Sequence, residues 1–147
     1  MNTLPIELLG KTQLLDYQMP SRLDEIAKLA EVIEGVLPER PDLAFSANLC
    51  LEELITNTIQ YGLRGESDRQ IHVQVSITPE WLEISLKDDA PRFDPFVEAP
   101  LPDLDLDVEH RPIGGLGVHL VKTLMDDARA YYDGSGNLIV LLKTLRK

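Results

Sequence analysis

The stretch EELITNTIQYG, residues 52–62, decides how this chain is read. Leu51, Leu54, Ile55 and Ile59 recur at helical spacing and form an apolar stripe. Beside that stripe Glu53, Asn57 and Tyr61 stand at i, i+4 and i+8, on a shared face. Asn competes with the backbone for hydrogen bonds and is a poor mid-helix residue, so propensity does not account for Asn57. The question is what chemistry needs a carboxylate and a carboxamide aimed at one point.

Working outward, the helix around this stretch is expected to run from about Asp42 to Tyr61. Before it, TQLLDYQMP reads as a strand stopped by Pro20, and SRLDEIAKLAEVIEGVL as a helix with Ser21 as N-cap. After the polar loop GLRGESDRQ, the runs IHVQVSI and WLEISLKD alternate apolar and polar residues around a turn at Thr78-Pro79, with Trp81 expected to anchor the sheet. The stretch from Ala90 to Gly115 has five prolines and no period, the character of a lid or binding loop. GLGVHLVKTLMDD reads as a helix opened by glycines, and ARAYYDG with NLIVLLKTL as a hairpin around DGSGN. This order predicts an α+β two-layer sandwich: a mixed, mainly antiparallel sheet covered on one face by about three helices.

Composition narrows the function. The 147 residues fit one domain, 1–147, and 44% are hydrophobic, as in a folded globular chain. A net charge of −11 argues against a general nucleic-acid surface, which needs clustered Lys and Arg. A single cysteine, Cys50, rules out a disulfide framework and reads as a small buried residue. His72, His110 and His119 show no metal-ligand spacing. No signal peptide is legible, nor any run near the ~20 apolar residues of a membrane span, so a cytoplasmic location is expected.

Two further stretches carry chemistry. Glycines ahead of a helix, as in GGLGVHLVK, allow close backbone approach, and free N–H groups at a helix start attract phosphate. Glycines also end loops for steric reasons, and there is no Lys-Ser/Thr to make this a P-loop. In SLKDDAPRFDPF a strand ends in Asp88-Asp89 ahead of a proline-flanked turn with Phe93; an acid there can accept a hydrogen bond from an amine, or simply be solvated.

Taken in order, Glu53-x3-Asn57 on a helix, Asp88 after a strand, FDPF, and GLG-x-x-LV-x-x-LMD opening a helix resemble the motif boxes of the histidine-kinase-like (GHKL) ATPases, the Bergerat fold. Within that superfamily the chain is most similar to the anti-sigma-factor serine-protein kinases, from about residue 10 to 145. The resemblance implies ATP and Mg²⁺ as cofactors. Asn57 would coordinate Mg²⁺, and Glu53 would orient or deprotonate the attacking hydroxyl. Asp88 would take the adenine amine, beside Ala90 where the family often has Gly. Phe93 would build the base of an ATP lid spanning about 90–114, and Tyr61 would sit by the phosphate or ribose, or pack under the next loop. Gly114, Gly115, Leu116, Gly117 and Val118 would meet the phosphates. Arg111 is a candidate for the γ-phosphate or a solvated lid residue. On the final strand Val140 is expected where the family often carries a Thr that supports the adenine Asp.

The function implied is an ATP/Mg-dependent serine/threonine protein kinase acting as a regulatory switch. Its substrate would be a STAS-type anti-sigma-factor antagonist, with a sigma factor as second client and a homodimer as a common assembly. The alternative is a nucleotide-binding partner-switch module with little or no kinase activity, a reading favoured by Ala90 and Val140. A detached histidine-kinase catalytic domain is the third reading, opposed by the LMDD ending.

Overall fold

A computed structural model describes residues 10–98 and 115–145. The strands are β1 (Thr12–Pro20), β2 (Gln70–Ile77), β3 (Trp81–Lys87), β4 (Asp127–Tyr132) and β5 (Asn137–Thr144). The helices are α1 (Ile26–Val36), α2 (Pro41–Asn57), the single turn α3 (Pro95–Glu98) and α4 (Gly115–Leu124). The strands lie in the order β1-β2-β3-β5-β4, antiparallel at every described pairing. The expected α+β sandwich is therefore present, with an antiparallel sheet.

Alternation in the strands builds the core. Ile71, Val73 and Val75 of β2, Leu82, Ile84 and Leu86 of β3, and Ile139 and Leu141 of β5 are all buried. They pack with Leu29 and Ile33 of α1, Leu51, Leu54 and Ile55 of α2, and Val121 of α4. Each such side chain contributes about 1.5–3 kcal/mol on burial. The opposite face presents Gln74, Ser76, Glu83 and Ser85. Cys50 sits in the core, where burial pushes its thiol up to about 11.

Several local expectations need correction. Ser21 does not cap α1, which starts at Ile26 after a 3₁₀ turn at Leu23–Glu25. Its buried hydroxyl instead donates to the Glu66 carbonyl (2.6 Å) and accepts from the Arg69 N–H (3.2 Å), tying the loop after α2 to the end of β1. Trp81, the first residue of β3, is 42% exposed and anchors no buried face. The LMDD run is a helix stop: α4 ends at Leu124, whose carbonyl accepts from Lys143 Nζ (2.8 Å), while Asp126 Oδ2 accepts the Thr144 N–H (2.6 Å) and Asp127 begins β4. The DGSGN turn holds as expected. Asp133 Oδ1 accepts from the Ser135 and Gly136 N–H groups, which helps to bring its carboxyl down to about 2. Among the described residues no helix is long and apolar enough to cross a membrane.

The helix that opened the reading is not uniform. After Asn57 it widens into a π-helical turn, Thr58–Gly62, closed by the Leu63 N–H on the Thr58 carbonyl (2.7 Å). Turns of this kind recur at functional sites. The i+8 spacing assumed a continuous α-helix, so the turn changes where Tyr61 points.

Candidate functional site

Asn57 is fully buried, and its carboxamide is oriented by one bond: Nδ2 donates to the Glu53 carbonyl at 2.8 Å. Only the nitrogen can face that carbonyl, so Oδ1 is left as the outward acceptor. Oδ1 is buried and has no partner, and the same is true of Glu53 Oε2. These two oxygens, one helical turn apart, are the orphaned buried side-chain atoms among the described residues. Such atoms cost about 1–3 kcal/mol each and call for an explanation. Burial, with a smaller contribution from Glu52, holds the Glu53 carboxyl above the usual carboxylate range.

The wall opposite is α4, which packs on α2. A Cβ on Gly117 would lie 1.8 Å from Glu53 Cδ and 2.2 Å from Oε2, so the backbone at the start of α4 runs directly over the carboxylate. Val118 is buried behind it. Gly115 and Leu116 form the first turn of α4, while Gly114 and Arg111 lie outside the described residues.

A second centre forms where β3 ends. Asp88 is buried at 7% exposure, whereas Asp89 is exposed and clamped by Arg69 (Nε to Oδ1, 3.0 Å). The structure thereby gives two adjacent acids different surroundings, one buried and one exposed. Asp88 Oδ1 accepts from the Ala90 N–H (2.8 Å) and from Asn137 Nδ2 (3.0 Å). Ala90 is buried in the core, Phe93 stacks on Tyr61 with ring centroids 6.3 Å apart, and Gly62 lies beside the Phe93 ring. A hollow of about 520 Å³ on the other side of α2, between it and α1, is floored by Leu23, Ile26, Leu29 and Leu51 and holds no orphaned polar atom.

Comparison with known proteins identifies the family. Residues 19–143 match the histidine kinase-like ATPase domain. The serine-protein kinase RsbW of Listeria monocytogenes is 31% identical, with 90% of this chain and 88% of that protein aligned. This chain belongs to the histidine kinase-like ATPase family, on the branch of the RsbW serine-protein kinases. RsbW of Bacillus cereus is 24% identical over 95% of this chain and 90% of its own. The histidine kinase AdeS of Acinetobacter baumannii shares the fold, with a TM-score of 0.52 at 12% identity, covering 92% of this chain and 70% of that one.

Set against the family's pattern, one expectation fails. Val140 pairs with Ser85 in mid-strand and is not the residue beside Asp88. That place belongs to Asn137, the first residue of β5, which is 3% exposed. The adenine-side acid therefore has its supporting hydrogen bond after all. The clue was the turn: if DGSG closes the hairpin, the next residue must lie level with the end of β3. Gly136 was also overlooked; a Cβ there would stand 1.9 Å from the Asp88 carbonyl oxygen. Tyr61, at 38% exposure, stacks on Phe93 of the turn after β3, a contact neither of its two expected placements named.

Proposed function

We infer that this chain is an ATP-dependent protein serine/threonine kinase of the partner-switching kind. The observation that carries the assignment is the pair of orphaned buried oxygens, Glu53 Oε2 and Asn57 Oδ1, under the glycine start of α4. Family membership supplies the use of ATP. In this reading Asn57 Oδ1, a hard neutral oxygen, holds Mg²⁺ together with nucleotide phosphates. When bound, Mg²⁺ offsets the charge of the β- and γ-phosphates. Asp88 Oδ2, without a protein partner among the described residues, accepts the adenine amine. Ala90 and Phe93 form the base of the lid, about 90–114, and Tyr61 supports Phe93. Backbone N–H groups from Gly114 to Val118 receive the phosphates.

Glu53 is the base. As a substrate hydroxyl oxygen bonds to the γ-phosphorus, the bond to the β–γ bridging oxygen breaks and ADP leaves. Glu53 Oε2 takes the hydroxyl proton, a task suited to a carboxyl whose affinity for protons burial has raised. The hydroxyl belongs to a serine on a STAS-type antagonist protein, in keeping with the naming of the relatives as serine-protein kinases. A sigma factor is the second client, released when the unphosphorylated antagonist takes the kinase. The new phosphate, about −1.5 to −2 in charge, then disrupts that complex. The kinase acts in the cytoplasm and as a homodimer. Of the two features that favoured a non-catalytic binding module, Val140 no longer counts, since Asn137 supports Asp88.

The test is calorimetric titration of ATP with and without Mg²⁺, on the unsubstituted protein, Asp88→Asn and Asn57→Ala. Saturable binding that Asp88→Asn removes, and whose Mg²⁺ dependence vanishes in Asn57→Ala, supports the site. No binding at millimolar ATP, or binding indifferent to both variants, overturns it.

A further inference from the structure

The face of α2 turned away from Glu53 and Asn57 carries a surface that the crevice does not use. Asn48, Glu52 and Thr56, at i, i+4 and i+8, look across a hollow of about 520 Å³ to Leu23, Ala27 and Ala30. At Asn48 it meets a second hollow of about 350 Å³, bounded by Glu34, Leu37, Pro41 and Phe45. The two helices are antiparallel here, so the hollows form one groove, about 16 Å or three turns long from Phe45 to Thr56. Ala27 and Ala30 give it depth. Leu23 at 48% exposure and Phe45 at 66% stand at its two ends. A single exposed apolar residue is ordinary, but two that bracket an apolar groove mark an interaction surface.

The charges on the groove are of one sign. Glu34 and Glu52 are its charged lining residues, and neither has an ion-pair partner among the described residues. Acids close by are neutralised: Glu25 holds Arg22 and Lys28, and Asp42 holds Arg40. We propose that the α1–α2 groove receives a basic amphipathic helix of a partner protein, at a site separate from the crevice. Such a helix lays an apolar stripe at i, i+3, i+4 and i+7 between the two it packs on. Lys or Arg on its flanks then meets Glu34 and Glu52. Midway, Asn48 Nδ2 donates to the Ala30 carbonyl at 3.2 Å, which leaves Oδ1 to accept from the incoming helix. Charge decides against the other occupants. A second copy, also of net charge −11, would bring further acid to two unpaired acids, and those acids repel nucleic acid and anionic lipid. The proposal stands apart from the kinase reading, and its failure leaves Glu53, Asn57 and Asp88 untouched.

The probe is a synthetic helix of about eighteen residues, five turns, with Leu at i, i+3, i+4 and i+7 and Lys elsewhere. Its controls are the same residues in scrambled order and the same helix with Glu for Lys. Fluorescence anisotropy on the full chain at physiological salt should show saturable binding of the Lys helix, and binding at least about tenfold weaker for each control. Ala27→Gln, which fills the groove, and Phe45→Ser, which removes one end of it, should each weaken the complex about tenfold. Both positions are exposed, so both variants should melt near the parent temperature. An acidic chain attracts any cationic peptide, so the charge test needs a reference. Glu34→Lys should weaken binding more than Asp68→Lys, the same change on the exposed loop before β2. Equal effects of those two, equal binding of the scrambled peptide, or indifference to Ala27→Gln and Phe45→Ser overturns the proposal. So does the absence of saturable binding at about 0.1 mM peptide. Loss of a dimer in Ala27→Gln, without loss of peptide binding, assigns the groove to a second copy and overturns it as well.

Discussion

The two ends of the crevice are built on opposite terms. At the β3–β5 end the polar groups around the turn bond to one another and only Asp88 Oδ2 is left open: Asn137 is saturated, Asp88 Oδ1 takes two donors, and Gly136 admits no side chain against the Asp88 backbone. At the α2–α4 end Glu53 Oε2 and Asn57 Oδ1 are buried with nothing to bond. A fold does not keep two such atoms for its own stability, since each costs more than a satisfied pair returns. The base end is held in one arrangement before a ligand arrives, and the buried oxygens of the phosphate end are satisfied by one. Specificity is thus placed where the protein is rigid, and reactivity where it is unsatisfied.

The sharpest way to break this comparison is at Glu53. Glu53→Gln keeps the shape and removes the proton acceptor, so phosphotransfer should fall by about 10²–10⁴-fold. ATP affinity should hold within about twofold, because the base is not asked to bind ground-state nucleotide. Single-turnover transfer from ATP to a STAS-type antagonist, beside calorimetry, reads both quantities. Transfer at the unsubstituted rate would move the base elsewhere and leave the orphaned oxygen without a purpose.

Two glycines sharpen the contrast, because the same methyl group meets different obstacles. Alanine at Gly136 strikes backbone, the Asp88 carbonyl oxygen at 1.9 Å and Asp89 Cα at 3.0 Å, which cannot swing away. Gly136→Ala should cost about 1–3 kcal/mol and weaken ATP in step. Alanine at Gly117 meets first the Glu53 side chain, at Cδ, Cγ and Oε2, which can turn aside where backbone cannot. A helix gains about 0.5–1 kcal/mol when Ala replaces Gly, so Gly117→Ala should melt at or near the parent temperature. Its transfer rate should still drop, by up to about 10²-fold for a base displaced by an ångström. If Gly117→Ala unfolds and Gly136→Ala does not, the assignment of the two ends is reversed.

What could be read from the sequence follows from how far each interaction reaches. The Glu53–Asn57 pair was legible because one helical turn brings i and i+4 together with no further information, and the strands because their alternation is local. The role of Asn137 was not: its bond to Asp88 crosses 49 residues and depends on the register of β3 against β5, which places Lys87 opposite Leu138. Ser21 was misread as a cap for the same reason, since its partners at Glu66 and Arg69 lie 45 and 48 residues away. The π turn at Thr58–Gly62 leaves no compositional mark, so Tyr61 could be placed on the helix but not aimed.

The smallest expected effect concerns pH, and it tests whether Glu53 is strained as its surroundings imply. Burial, then Glu52, raises its carboxyl above the unfolded value, so between the two the native chain binds more protons than the unfolded one. Its contribution to stability is therefore complete below the unfolded pKa, about 4.3 for Glu, and is lost as pH rises through the folded value. Asp133, held down at about 2, and Asp126 run the other way and weaken the protein as pH falls, so a single melting curve mixes both trends. Glu53→Gln cancels what the two proteins share. The melting temperature of the variant minus that of the parent should become steadily more negative, or less positive, from pH 7 to pH 4, because only the parent regains stability as Glu53 takes up its proton. A difference that stays flat with pH would mean that the carboxylate is as well solvated as any on the surface, and the two ends of the crevice would then differ less than their hydrogen bonds imply.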